Sequence, residues 1–175
     1  MQIRPTSDRL RETLFNVLAP RIGGARFLDL CTGSGAVGIE AISRGASFVT
    51  FVDRSRKMCG LVEANLDLCG VPEEMTEVVL SEAADYLRRR EARGGEPNDI
   101  AFFDPPYATD YAPILDLFGG RTPALLAAGS ILIVEHHHKT MLKDAVGNIR
   151  RWRILKQGDS ALSFYEAEGA QVMAE

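Results

Sequence analysis

The sequence predicts an α/β fold: one Rossmann-like domain over residues 1–175, built on a mostly parallel sheet with an antiparallel end. Three observations predict it. Short apolar segments alternate with helical patterns along almost the whole chain. The apolar segments are continuous, as in strands that are buried on both faces. The last two, 152–155 and 162–165, flank a Gly158-Asp159 turn and predict a closing hairpin.

The individual elements follow from the periodicity of the apolar residues and from the turn residues between them. Before the hairpin, strands are predicted at 27–31, 48–52, 78–80, 100–103 and 131–134. Helices are predicted at 9–19, at 35–42, at 55–68, at 86–92 and at 114–127. Pro20 is expected to end the first helix. Ligands of such sheets bind at the carboxyl ends of the strands, so the site is expected in the loops that follow them.

The composition is that of an ordinary globular domain, with 46% hydrophobic and 25% charged residues in 175. No apolar run reaches the roughly 20 residues that span a bilayer, and no signal-peptide core is visible, so a cytoplasmic protein without membrane partners is expected. The three cysteines, Cys31, Cys59 and Cys69, have no metal-type spacing and are expected to be reduced, mostly buried thiols.

A glycine-rich segment follows the first predicted strand and opens a helix. Gly33, Gly35 and Gly38 allow the backbone to approach a ligand, and the helix N-terminus supplies free N–H groups. The same spacing occurs in dinucleotide sites, so this loop alone leaves NAD and S-adenosylmethionine open. The loop residues predicted to line the cofactor are Cys31, Thr32, Gly33, Ser34 and Gly35.

Acidic residues at the ends of three successive strands favour S-adenosylmethionine. Asp29 lies within reach of a cationic methionine amino group, and it would repel a pyrophosphate. Asp53 can accept hydrogen bonds from ribose hydroxyls, and Glu82 can accept one from an adenine amino group. Arg54 and Ala83, which follow these two acids in the chain, complete the predicted cofactor site.

The segment Asp104-Pro105-Pro106-Tyr107 directly follows the fourth strand and is predicted to be catalytic. Its prolines fix φ and leave rigid carbonyl acceptors. A nucleobase amine is a poor nucleophile because its lone pair is delocalised into the ring. The Asp104 carboxylate and the Pro105 carbonyl could accept its two N–H groups and localise that lone pair. Tyr107 offers a ring on which a flipped base could stack.

Two longer segments, together with this motif, resemble a known family. The segments Arg4-Pro-Thr-Ser-Asp-Arg-Leu-Arg-Glu-Thr-Leu-Phe-Asn16 and Gly33-Ser-Gly-Ala-Val-Gly-Ile-Glu-Ala-Ile-Ser-Arg-Gly45 are similar to the RsmD family of bacterial 16S ribosomal RNA guanine-N2 methyltransferases. The hairpin at 158–165 is also similar to that family's end. The resemblance implies a class I methyltransferase fold with a seven-stranded sheet, and 16S rRNA in small-subunit ribosomal particles as the partner. It also implies that Thr6 closes over the methionine end of S-adenosylmethionine. Glu82 departs from the family, which more often has Asp there.

Basic residues cluster in a chain whose net charge is −4. Arg4, Arg9 and Arg11 are predicted to contact RNA phosphates. Two further clusters, at 88–93 and 150–156, could extend a local basic surface or form solvated faces.

The run His136-His137-His138 follows the fifth strand. Consecutive residues of an extended segment point to alternate sides, and no distant Cys/His partner set is visible. No metal site is therefore expected, although a histidine here could touch the substrate.

Three other functions remain open. A DNA adenine or cytosine amino-methyltransferase would use the same Asp-Pro-Pro-Tyr motif, but the chain has no separate target-recognition domain. A nicotinamide oxidoreductase would leave that motif unexplained. A cofactor-binding protein that only assists ribosome assembly has the same sequence features.

Overall fold

The computed structural model describes residues 7–106, 108–120 and 125–168. The strands are β1 (Arg26–Leu30), β2 (Phe48–Asp53), β3 (Thr76–Leu80), β4 (Asn98–Phe103), β5 (Leu126–His137), β6 (Ala145–Val146), β7 (Ile149–Gln157) and β8 (Ser160–Ala167). The helices are α1 (Asp8–Ile22), α2 (Ala36–Ser43), α3 (Arg56–Leu68), α4 (Ala83–Arg93) and α5 (Ala112–Phe118), with a 3₁₀ turn at Glu73–Met75.

All eight strands form one sheet in the order β3-β2-β1-β4-β5-β8-β7-β6. Neighbouring strands from β3 through β5 are parallel, whereas β8 pairs antiparallel with both β5 and β7. The carboxyl ends of β1 to β5 therefore share one edge of the sheet, and the turn between β7 and β8 lies at the same edge, opposite the end of β5. This edge is called the upper edge below.

The predicted α/β class and the antiparallel end are confirmed. The sheet has one strand more than the seven expected, because Ala145–Val146 adds a two-residue strand at the edge beside β7. The hairpin strands are also longer than predicted, at nine and eight residues.

Two helix predictions were wrong. Pro20 lies inside α1 and does not end it; its φ suits a helix, it forfeits only one backbone bond, and the buried Ile22 anchors the final turn. The predicted helix at 114–127 ends at Phe118. Leu126 and Ala127 belong to β5, where Leu126 pairs with Asn98 of β4. Sheet pairing here overrides the helical tendency of a Leu- and Ala-rich segment.

Helices cover both faces of the parallel strands. Apolar residues of α1, α2 and α3 pack on one face, around Phe27, Phe51 and Phe102. Those of α4 and α5 pack on the other face, around Leu28 and Phe103. Side chains alternate along β1, so Asp29 shares a face with Phe27 and points toward α2.

None of the helices among the described residues has the length and apolar character needed to cross a membrane. All three cysteines are free thiols, but the expectation that they are mostly buried was wrong, because Cys59 is buried, Cys31 half-buried and Cys69 exposed.

Candidate active site

The glycine loop joins β1 to α2 at the upper edge. Three of its residues have positive φ: Cys31 at 59°, Gly33 at 58° and Gly35 at 84°. The amide of Thr32 donates to the carbonyl of Val52 at the end of β2, over 3.0 Å. A Cβ on Gly33 would meet no atom within 4 Å, so the space above the loop is open to a ligand. Glycine is needed here for conformation and for access.

Asp29 lies beneath this loop, with 1% of its surface exposed. Its Oδ2 accepts hydrogen bonds from Thr32 Oγ1 at 2.6 Å and from the Gly38 amide at 3.0 Å. Burial raises the pKa of this carboxyl to about 7; the two hydrogen bonds oppose the rise, and the charge of Asp53 adds to it. Asp29 thus ties the start of the loop to the first turn of α2. Its predicted contact with a methionine amino group stays a prediction.

Asp53 ends β2 and supports the loop from the other side. Its Oδ2 accepts from the Gly33 amide at 3.0 Å, and its Oδ1 accepts from the Ser55 amide at 2.9 Å. The residue is half-buried. Asn65 of α3 donates to the Ser34 carbonyl at 2.9 Å, a support that sequence reasoning missed.

The remaining predicted cofactor residues surround this loop. Glu82 is exposed at the N-terminal end of α4, where its side chain makes no capping hydrogen bond; Ala83 is the first residue of the helix and is half-buried. Arg54 is exposed, and its charge acts on the Cys31 thiol. Thr6 lies outside the described residues.

The Asp104-Pro105-Pro106 segment leaves β4 beside the loop. The Asp104 amide donates to the carbonyl of Leu30, the last residue of β1, at 3.4 Å. Asp104 is half-buried, Pro105 buried and Pro106 exposed, and the Thr109 amide closes a turn onto the Pro106 carbonyl at 3.0 Å. Tyr107 lies outside the described residues.

Cys31 marks how closely these acids converge. The pKa of its thiol is raised to about 12, mainly by burial, and the negative charges of Asp53, Asp104 and Asp29 contribute to that rise. All three acids therefore act on one half-buried side chain at the boundary between the glycine loop and β4. Asp29 and Asp53, predicted to bind the cofactor, therefore lie near Asp104 of the predicted catalytic segment.

The predicted RNA-binding arginines lie on α1, which packs beside this edge. Arg9 is exposed, and Arg11 forms an exposed ion pair with Asp8 at 3.0 Å. Arg11 also lines a cavity of about 320 Å³ with Ser34 of the glycine loop and Glu40 of α2. Arg4 lies outside the described residues. Of the other basic clusters, Arg89 and Arg90 are bound within the fold, to Ser81 Oγ and to the Gly94 and Glu96 carbonyls.

The histidine run is arranged differently from the prediction. Because β5 ends at His137, His138 enters the following turn, and the two rings stack with centroids 4.5 Å apart. Their nitrogens and an Asp159 oxygen lie within 4.8 Å of one another, so a carboxylate, which is neither Cys nor His, lies beside the two rings; the absence of a metal site stays a prediction. One nitrogen of each ring is engaged within the fold: the Lys139 amide donates to His137 Nδ1, and His138 Nδ1 lies 3.3 Å from the Asp159 carbonyl.

Comparison with known proteins places this arrangement in a family. A family model described as "Conserved hypothetical protein 95" matches residues 1–166. The "Putative rRNA methyltransferase YlbH" of Bacillus subtilis is 32% identical over 167 residues, which are 95% of this chain and 89% of that protein. "Ribosomal RNA small subunit methyltransferase D" of Escherichia coli is 43% identical over 105 residues, 60% of this chain and 50% of that protein. The chain belongs to the RsmD family.

The fold agrees with this RsmD-family assignment. A solved structure described as "Putative methyltransferase yhhF from Escherichia coli" matches with a TM-score of 0.82 at 32% identity, over 95% of this chain and 89% of that one. At the upper edge of the sheet, the glycine loop lies beside the start of α1 on one side and beside the segment 104–106 on the other.

Proposed function

We propose that this chain transfers the methyl group of S-adenosylmethionine to the exocyclic N2 of a guanine in small-subunit ribosomal RNA. As a member of the RsmD family, it is an S-adenosylmethionine-dependent rRNA methyltransferase. The observation that carries the choice of an amine is the position of Asp104, on the strand beside the glycine loop and hydrogen-bonded to the end of β1.

The residues at the upper edge fit the proposed cofactor. There is open space above Gly33, and the carboxylates of Asp53 and the exposed Glu82 can accept hydrogen bonds from donors of the kind found on a ribose and an adenine. The amide groups that begin α2 lie at the same place. S-adenosylmethionine bound here would supply an electrophilic methyl group on a sulfonium.

The chain's own contribution is to orient and activate the amine. The Asp104 carboxylate and the Pro105 carbonyl accept hydrogen bonds from the two N–H groups and draw the lone pair toward the methyl group. Proline rigidity keeps both acceptors in place before the substrate arrives. The amine becomes strongly acidic as the new bond forms, so Asp104 guides a proton that water can remove. Binding and orientation then supply most of the rate.

The substrate is proposed as RNA within a small-subunit particle, and the cytoplasm is the location proposed with it. The name of the Escherichia coli relative supports the small subunit, and the exposed Arg9 on α1 supports a phosphate-facing surface.

The test uses small-subunit particles from cells that lack this protein, incubated with the chain and methyl-labelled S-adenosylmethionine. Nucleoside analysis of the digested RNA should find N2-methylguanosine. Asp104→Asn should form less of this product. Its matched control is Asp110→Asn, an exposed change in the loop after β4 that can keep the hydrogen bond from the Ala112 amide. Methylated adenine would contradict the choice of base. Particle binding without transfer would show an assembly factor and not an enzyme.

A further inference from the structure

A buried side-chain network lies behind the catalytic segment, between β5 and the C-terminal hairpin. His136 has 3% of its surface exposed, and its Nε2 lies 2.7 Å from Ser163 Oγ on β8. Its Nδ1 lies 2.9 Å from the His137 carbonyl. Arg151 on β7 donates to the same Ser163 Oγ at 3.2 Å and also pairs with Asp144.

The partners determine where the protons are. A carbonyl can only accept, so His136 Nδ1 carries a hydrogen and donates it to the His137 carbonyl. Nε2 is then the acceptor, and the Ser163 hydroxyl donates to it while accepting from Arg151. Each hydrogen bond of this network then has one donor and one acceptor, and together the bonds fix the orientation of the His136 imidazole.

The imidazole supports the ring of Tyr111. The two rings meet edge to face, with centroids 6.4 Å apart and planes at 78°. Tyr111 makes the same kind of contact with Phe103, at 6.1 Å and 79°. Phe103 is the residue before Asp104, and Tyr111 is the last residue before α5. The segment 104–110 therefore lies between two side chains that contact each other, Phe103 and Tyr111, and His136 contacts Tyr111.

We propose that His136 is a positioning residue for methyl transfer: held by Ser163 and Arg151, it fixes Tyr111 and so aims the Asp104 carboxylate and the Pro105 carbonyl. This rests on the proposed function, because it requires Asp104 to act on the amine. A rigid proline segment still has to be anchored at both ends. The start of the segment is anchored by the hydrogen bond from the Asp104 amide to the Leu30 carbonyl of β1. Its end is anchored by the contact of the Tyr111 ring with His136.

The network also gives the C-terminal hairpin a part in the site. Residues Tyr165 and Ser163 of β8 and Arg151 of β7 share one face of the sheet with Val134 and His136 of β5. A register shift between Arg151 and Arg153 places one extra residue in β7 there. The hairpin, two and three strands away from β4, thus reaches the catalytic segment through one imidazole.

The test compares Ser163→Ala, His136→Leu and His136→Gln in the full chain. Three quantities are measured: the single-turnover rate at saturating S-adenosylmethionine, the cofactor Kd by calorimetry, and amide hydrogen exchange of peptides covering 104–112 and 27–38. Ser160→Ala is the matched control, because Ser160 is a buried serine of the same strand outside this network.

His136→Leu should lower the rate roughly 10- to 100-fold, the cost of misplacing a reacting group by about 1 Å. The cofactor Kd should stay within twofold, and exchange should rise in 104–112 but not in 27–38. His136→Gln keeps an acceptor for Ser163 but lacks the ring that contacts Tyr111, so it should recover only part of the rate. Ser163→Ala should cause a smaller rate loss and a smaller rise of exchange in 104–112, again with little change in the cofactor Kd. If His136→Leu does not fold, the proposal is tested by Ser163→Ala.

Unchanged exchange in 104–112, or a rate loss no larger than that of Ser160→Ala, would overturn the proposal. So would a cofactor Kd that rises in step with the rate loss. Failure of the proposed function appears separately, as absence of N2-methylguanosine with the wild-type chain. The exchange measurement still tests the anchoring in that case, because it needs no substrate.

Discussion

The two halves of the upper edge are held in different ways. In the cofactor half, between β1 and β3, the glycine loop is fixed by positive φ angles and by two carboxylates: Asp53 accepts the Gly33 amide, and Asp29 accepts the Thr32 hydroxyl and the Gly38 amide of α2. In the catalytic half, after β4, the segment 104–110 is anchored by ring contacts and by a network from the hairpin. The first half is held by hydrogen bonds to the loop itself from the strand ends and from α3, and the second is held by ring contacts that depend on a side-chain network reaching the hairpin. The first therefore couples to folding and cofactor binding, and the second to rate.

The largest expected effect concerns Asp29 and pH. Its folded pKa of about 7 exceeds the 3.8 of an ordinary carboxyl, so the folded state favours the protonated form. Its contribution to stability is therefore full below about pH 4 and is lost as the pH rises toward 7, by on the order of 4 kcal/mol. Asp29→Asn cannot ionise and should lack this loss. Urea unfolding of both chains between pH 4.5 and 8 measures the difference. Parallel pH dependences would show that Asp29 does not couple loop and fold.

Next in size is Gly38→Ala, which tests the packing beneath the loop. A Cβ at this position would lie 2.3 Å from the Phe51 ring, so helix or ring must shift. The cost should be about 1–3 kcal/mol of unfolding free energy, with weaker cofactor binding. Gly60→Ala on α3 meets no atom within 4 Å and should be neutral or stabilising by up to about 1 kcal/mol. Equal effects of the two changes would contradict the account of the cofactor half.

The smallest expected effect belongs to the arginines of α1. Arg9→Ala and Arg11→Ala should each weaken binding to ribosomal RNA. Each lost phosphate contact should also flatten the slope of log affinity against log salt by roughly 0.7–0.9. Arg11 pairs with Asp8, so its effect should be the weaker of the two. RNA titrations at several salt concentrations measure both slopes. Unchanged slopes would place the RNA surface elsewhere on the chain.

The same contrast explains what the sequence could predict. The glycine loop, Asp29, Asp53 and the segment at 104–106 occur as short local patterns after predicted strands, and the structure brings them together. The helix predicted at 114–127 was wrong because pairing with β4 determines the conformation of Leu126. Contacts between His136 and Ser163, 27 residues apart, leave no local pattern. The histidine run was a local signal there, but the sequence suggested only a metal, which was not expected, or a contact with the substrate.

The central claim is that the cofactor half binds S-adenosylmethionine and the catalytic half raises the rate of methyl transfer. Measuring both quantities in one variant of each half tests it. Cofactor Kd and single-turnover methylation of small-subunit particles are measured for Asp104→Asn and Asp53→Ala. Asp104→Asn should lower the rate about 10- to 150-fold, as expected from losing a charge-assisted hydrogen bond of roughly 1.5–3 kcal/mol, with little change in Kd. Asp53→Ala should weaken cofactor binding by about 1–3 kcal/mol. A near-wild-type rate for Asp104→Asn, or a Kd that changes as much as the rate, would contradict the claim.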